Sequence, residues 1–296
     1  MKILGAYKNG NYTVIMFDNG TKIRVNGEDK LVARFPESID MKISDKCDRG
    51  CPMCHECSTP DGELAPFLLI HPLFESLHPY TELALGGGNV LEHPDLLPFL
   101  TKMRDQHIIC NITVHLDHFM NNISTIKSLV ESGLVHGVGI SVSRPVTNYE
   151  LLMIKSVPNT VVHIIAGIVD FDTLDSLSNE SIKLLILGYK DYGRGTKYLS
   201  THPEVDKNIQ KLEDALPLLK DRFYLISFDN LALEQLHMKK HMTKEEWDEN
   251  YMGDDGQFTM YIDMVRDEYA KSSTSPRHRI ENNNIEVLFE EVKHGF

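Results

Sequence analysis

Ile43-Ser-Asp-Lys-Cys-Asp-Arg-Gly-Cys-Pro-Met-Cys54 sets Cys47, Cys51 and Cys54 in a C-x3-C-x2-C spacing, which brings three thiolates within reach of one metal centre. Held by three cysteines, a four-iron cluster keeps one iron open to a small-molecule ligand. Held by four, it is coordinatively closed and suited to electron transfer. Three thiolates and a fourth ligand also satisfy zinc, and His55 or Cys57 stands close enough in sequence to complete the set. Cys57 extends the run to C-x3-C-x2-C-x2-C. A zinc-stabilised binding module and a closed-cluster electron-transfer protein therefore stand as alternatives to an open site. The residues just before, Met41-Lys-Ile43, read as a strand end, so the cysteines follow in a loop.

A second stretch, Thr81-Glu-Leu-Ala-Leu-Gly-Gly-Gly-Asn-Val-Leu-Glu-His-Pro-Asp-Leu-Leu97, reads as a short buried strand, a glycine loop and the start of a helix near Asp95. Glycines are needed where backbone approaches a ligand with no Cβ between them. A cysteine triad followed by this loop and by His93-Pro-Asp95 resembles the radical S-adenosylmethionine enzymes. In that family the open iron is chelated by the amino and carboxylate groups of the methionine moiety. The reduced cluster then cleaves the sulfonium to a 5'-deoxyadenosyl radical, which abstracts hydrogen from a substrate.

The resemblance implies two cofactors, a 4Fe-4S cluster on Cys47, Cys51 and Cys54 and S-adenosylmethionine. It also implies a flavodoxin-like or ferredoxin-like electron donor and a partial six-stranded parallel barrel. The family's second-strand loop touches the methionine amino group, typically as Gly-Gly-Glu-Pro. This chain has Gly86, Gly87, Gly88 and Asn89, so the usual glutamate is absent and the backbone part of the contact is what remains. Glu92 substitutes for it only if the loop folds differently.

Composition agrees with a cytoplasmic catalyst. At 296 residues and 42% apolar the chain is long enough for a large core, and one catalytic domain with small appendages fits this size. No long apolar run or N-terminal signal is visible, so neither membrane insertion nor secretion is expected. Four of the five cysteines fall in residues 47–57, which is no disulfide framework, and reduced thiols are expected. A net charge of -13 argues against broad nucleic-acid binding, because phosphate contacts need clustered Lys and Arg.

Strand, loop and helix alternate along most of the chain, the signature of a parallel α/β architecture. Residues 2–7, 12–17 and 21–25 precede it as an antiparallel meander with turns at Asn9-Gly10 and Asn19-Gly20. Catalytic-domain strands are expected at 38–43, 82–85, 109–114, 138–142, 161–165, 183–187 and 223–228. Helices are expected at 97–105, 124–131 and 209–219, among others. The organisation expected is an N-terminal β meander over residues 1–36, the partial (β/α)6 barrel that the resemblance implies over 37–230, and a C-terminal extension over 231–296. In the extension, 231–240 reads as helix, 259–269 as a strand continuing into helix, and 272–279 as a polar, locally basic linker.

In parallel barrels chemistry collects at the C-terminal ends of the strands. His115, Asp117 and His118 follow the third catalytic strand, as cavity lining or a metal set. Ser141, Ser143 and Arg144 follow the fourth, and the resemblance assigns them to the ribose hydroxyls and the methionine carboxylate. Ile165 lies in the segment that, by the same resemblance, packs against adenine, and backbone at Gly188 and Tyr189 meets the adenine edge. Lys190, Arg194, Asp229 and Asn230 are further residues near the open end. Only Cys110 lies outside the first cysteine run, which disfavours the peptide-modifying relatives that carry C-terminal auxiliary clusters. The substrate is left open among nucleotides, peptides and small metabolites.

Overall fold

The computed structural model describes residues 2–26 and 30–295. Residues 1, 27–29 and 296, at the ends and inside the expected first and last segments, lie outside the described residues. The chain opens with β1 (Ile3–Asn9), β2 (Tyr12–Phe17) and β3 (Lys22–Val25), paired antiparallel in that order. Alternation of period two buries Tyr12, Val14 and Met16 on one face of β2.

A second sheet carries β4 (Ser38–Ser44), β5 (Glu82–Gly87), β6 (Ile109–His115), β7 (Gly137–Ser141) and β8 (Thr160–Ile165). It continues with β9 (Lys183–Leu187), β10 (Leu225–Phe228), β11 (Thr259–Asp263), β12 (Glu268–Ala270) and β13 (His278–Arg279). The order is β10-β9-β8-β7-β6-β5-β4-β11-β12-β13. Pairing is parallel from β10 through β11 and antiparallel for β12 and β13. The sheet ends in two edges rather than closing on itself, and its parallel strands form a partial barrel.

Helices cover the outer face: α1 (Leu96–Asp105), α2 (Leu116–Asn121), α3 (Ile123–Glu131), α4 (Asn148–Lys155) and α5 (Phe171–Leu177). They are followed by α6 (Arg194–Thr201), α7 (Glu204–Leu219), α8 (Asn230–Gln235), α9 (Lys244–Asn250) and α10 (Ile285–His294). On β6 the residues Cys110, Ile112 and Val114 are buried on the helix side. Asn111, Thr113 and His115 point the other way, into the barrel. Burial pushes the Cys110 thiol up to about 12, which leaves it an unreactive packing residue.

The meander covers the N-terminal ends of the barrel strands. Lys22 pairs with Glu82 at the start of β5 at 2.5 Å, and Arg24 pairs with Glu37 just before β4 at 2.9 Å. Asn159, ahead of β8, donates to the Asp18 carbonyl at 3.2 Å.

Three expectations from sequence change. α7 begins at Glu204 rather than 209, because Glu204 and Asp206 favour a helix N-terminus and Val205 is buried. Helix over 231–240 is interrupted after α8 by His237 in the left-handed region, and only one 3-10 turn follows. No helix follows β11. The Asp263 carboxylate accepts from the backbone N–H of Val265 and Arg266, Asp267 has a positive φ, and the chain reverses into β12. Residues beyond 230 also join the main sheet, since β11 lies parallel to β4 with Tyr261 opposite Asp40.

Candidate active site

After β4 the chain enters the cysteine loop, fixed to its own base by main-chain bonds. Asp45 N–H donates to Glu63, Cys47 N–H to Thr59, and Thr59 N–H back to Asp45, at 2.7, 2.8 and 3.0 Å. Two tight turns follow, with Cys54 N–H bonded to the Cys51 carbonyl and Cys57 N–H to that of Cys54. The Cys54 carbonyl accepts from Arg194 N–H at 3.2 Å, which seats the loop on the start of α6.

Beneath the loop, buried Lys42 meets Asp45, Glu56 and Asp263 at 2.7, 3.1 and 3.0 Å. Burial alone would lower the ammonium's pKa. The carboxylates, Glu56 foremost, outweigh it and hold the pKa above the usual lysine value. Glu56 also accepts from the Tyr261 hydroxyl at 3.2 Å. One buried cation thus joins β4, the cysteine loop and β11.

Cys47, Cys51 and Cys54 line a cavity of about 670 Å³ inside the barrel, within the size range of cofactor sites. Burial raises the thiol pKa of Cys47 and of Cys51, and in both the charge of neighbouring cysteines raises it further. Three mutually repelling thiolates are the donor set that a metal centre neutralises. Cys57 stands apart. It is exposed, has a positive φ, is not part of the cavity wall, and lies against Gly193, where a Cβ would come within 2.9 Å of its sulfur.

Gly86, Gly87 and Gly88 border the same cavity with different reasons for being glycine. A Cβ on Gly86 would meet nothing within 4 Å, so its missing side chain is open cavity. A Cβ on Gly87 would lie 2.3 Å from the Ser44 carbonyl oxygen and one on Gly88 2.2 Å from that of Lys46. These two let the loop pack against the end of β4, where Gly88 N–H donates to Ser44 and Asn89 N–H to Lys46. Asn89 is buried behind this contact, its side chain accepting from Leu91 N–H and donating to Glu92. Glu92 pairs with Lys46 at 3.4 Å.

Ser141, Ser143 and Ile165 line the cavity. Arg144 lies outside its wall, its guanidinium bonded to both Glu150 carboxylate oxygens at 2.7 and 3.1 Å and to Asp117 at 3.1 Å. Gly188 and Tyr189 also lie outside the wall, with their backbone engaged. Gly188 N–H donates to Asp229, while Gln235 both accepts from Tyr189 N–H and donates to the Tyr189 carbonyl. Gln235 thereby meets the hydrogen-bonding edge expected to face adenine.

His115 and His118 line the cavity, and Asp117 bridges Arg49 and Arg144. Ligating atoms of Cys47, Asp48 and His118 lie within 4.8 Å of one another, with His118 Nε2 2.7 Å from Asp48. Lys190, Arg194 and Asp229 reach the cavity as well. Sequence reading passed over Asp40, Lys42 and His163, which face the interior from β4 and β8. The signal was present in β4, where Asp40 and Lys42 alternate with Ile39, Met41 and Ile43.

The open-edged parallel barrel with a cysteine loop after its first strand has counterparts in fold among solved structures. Among solved structures the chain is similar to SuiB of Streptococcus suis, a radical S-adenosylmethionine enzyme. SuiB bound to precursor peptide SuiA matches with a TM-score of 0.59 and 13% identity, over 89% of this chain and 67% of SuiB. SuiB bound to S-adenosylmethionine gives 0.58 and 13%, over 89% and 68%. SuiB alone gives 0.56 and 14%, over 89% and 68%. At this identity the likeness is one of fold. No family model matches the chain, and no curated protein sequence matches it. Among the described residues, no helix is long and apolar enough to cross a membrane.

Proposed function

We propose that this chain is a radical S-adenosylmethionine enzyme acting on a substrate held in the barrel cavity. The observation that carries this reading is the disposition of the cysteines. Cys47, Cys51 and Cys54 face one cavity together with the open space at Gly86, while Cys57 lies outside it. Three facing thiols suit a 4Fe-4S cluster with one open iron better than a closed four-cysteine centre.

When bound, the cluster and S-adenosylmethionine supply a reductive carbon–sulfur cleavage that yields a hydrogen-abstracting 5'-deoxyadenosyl radical. The chain's own residues hold and shield. Cys47, Cys51 and Cys54 would ligate the cluster, and Gly86 leaves room beside the end of β5. Ser141 and Ser143 offer hydroxyls and Ile165 an apolar surface. Asn89 and Arg144 act from behind the wall, Asn89 by fixing the glycine loop and Arg144 by tying α4 to Asp117. The surrounding barrel excludes water from the reacting groups. An external one-electron donor of flavodoxin or ferredoxin type completes the reaction, and a reducing cytoplasm suits the free thiols.

Anaerobic reconstitution is expected to load about four irons per chain and to give 5'-deoxyadenosine with dithionite and S-adenosylmethionine. Alanine at Cys47, Cys51 or Cys54 abolishes both, and Cys57→Ala keeps both. Colourless zinc protein with no nucleoside product would establish the binding-module alternative. Loss of the cluster in Cys57→Ala would establish the closed electron-transfer alternative.

A further inference from the structure

Asp40 stands apart from the other carboxylates of the barrel interior. It sits in mid-β4 between Ile39 and Met41, which are buried on the opposite face, so its side chain points into the cavity. By register it lies beside Ala84 of β5 and Tyr261 of β11. Other acids around the cavity have partners. Glu82 is paired with Lys22 and Glu56 with Lys42, while Asp229 accepts from Gly188 N–H and Ala232 N–H. Among the described residues, the Asp40 carboxylate has neither a hydrogen bond nor an ion pair.

The cation that acts on it, Lys190, is engaged elsewhere. Its ammonium donates to Ser273 Oγ at 2.8 Å and lies 3.4 Å from His55 Nε2. Asp229 and Asp255 add like charge. Burial, with help from those two carboxylates and against Lys190, holds the Asp40 pKa above the usual range. The carboxylate opens onto the cavity without a partner, and such a group in a cleft marks a functional position.

We propose that Asp40 is the recognition carboxylate for a cationic group, an ammonium or guanidinium, on the substrate taken into this cavity. The proposal rests on reading the cavity as the substrate chamber of a radical S-adenosylmethionine enzyme. An ammonium or guanidinium donates hydrogen bonds to Asp40 and offsets the repulsion from Asp229 and Asp255. An anionic group in the cavity meets Asp40 and Asp229, with Asp255 adding like charge from outside the wall.

The test is calorimetric titration of the reconstituted full-length protein, in the presence of S-adenosylmethionine. The cationic probes are agmatine, cadaverine and N-acetyl-lysine methylamide, with N-acetyl-norleucine methylamide as neutral isostere and glutarate as anion. At least one cationic probe is expected to bind saturably, and Asp40→Asn to weaken it roughly tenfold or more. The isostere and glutarate are expected not to bind. Asp40→Asn is also expected to raise the melting temperature of the ligand-free protein, since it removes an unpaired charge. Asp229 is unsuitable for substitution because it caps α8.

Equal binding to wild type and Asp40→Asn overturns the proposal, as does binding of the isostere or glutarate, or no binding of any cation. A lower melting temperature in Asp40→Asn overturns it by showing that the carboxylate is structurally paired. Competition between cationic probe and S-adenosylmethionine overturns it by placing Asp40 in the cosubstrate's own subsite. Probe binding without S-adenosylmethionine cleavage removes the radical reading and leaves the cation site. Cleavage without probe binding does the reverse.

Discussion

Lys42 of β4 reaches Asp263 of β11 at 3.0 Å, and the same ammonium holds Asp45 and Glu56 at the two ends of the cysteine segment. The loop that carries the three thiols is therefore positioned by a strand far from it in sequence. Lys42→Met leaves three carboxylates in a buried site without their cation, a change that costs about 3–5 kcal/mol. Denaturant unfolding of the metal-free protein is expected to show that loss, and iron loading is expected to fall with it. Unchanged stability would mean that the carboxylates find other partners.

Gly86 and Gly88 are expected to separate cosubstrate space from packing. Gly86→Ala adds a methyl group that meets no atom within 4 Å, so stability stays within about 0.5 kcal/mol of wild type. The methyl takes up cavity space, and S-adenosylmethionine affinity is expected to fall roughly tenfold or more by calorimetry. Gly88→Ala drives a Cβ into the Lys46 carbonyl and destabilises the fold by about 1–3 kcal/mol. A Gly86→Ala protein that binds S-adenosylmethionine like wild type would remove the cosubstrate from this wall.

The Arg144–Glu150 pair sets a pH dependence outside the cavity. Its hydrogen bonds to Arg144, reinforced by Thr147, hold the Glu150 carboxyl at about 2, against an ordinary value of 4.5. A folded-state pKa below the unfolded one gives stability that is present above pH 4.5 and lost as pH falls toward 2. Arg144 is about half exposed, which screens the pair and reduces its effect to about 1 kcal/mol. Unfolding free energies at pH 6 and pH 3 are expected to differ less in Glu150→Gln than in wild type by about that amount. Equal pH dependence would show the pair to be fully screened.

The parallel strands were legible because each satisfies a local pattern. Residues 183–187 alternate Leu184 and Ile186 outward with Leu185 and Leu187 inward, and the strand forms there. The cysteine loop was legible for the same reason, since spacing within eight residues is a property of the local chain. Gly188 and Tyr189 were harder to place because their partners are remote, and Arg144 because it is shared between nearby Glu150 and remote Asp117. Asp117 is 27 residues from Arg144, Asp229 is 41 from Gly188, and Gln235 is 46 from Tyr189. Whether a polar group faces a ligand or a neighbour depends on which elements pack there, and periodicity carries no record of that.

By itself the sequence determined the alternation of strand and helix, the three thiols at metal-binding spacing and the glycine loop. All follow from steric and hydrophobic preferences that act over a few residues. Only the tertiary structure decided that Cys57 lies outside the cavity and that Gly86 alone of its triplet leaves ligand space. It also decided that Lys42 is neutralised while Asp40 is not. These are outcomes of long-range packing, in which a buried charge is settled by whichever distant side chain the fold brings to it.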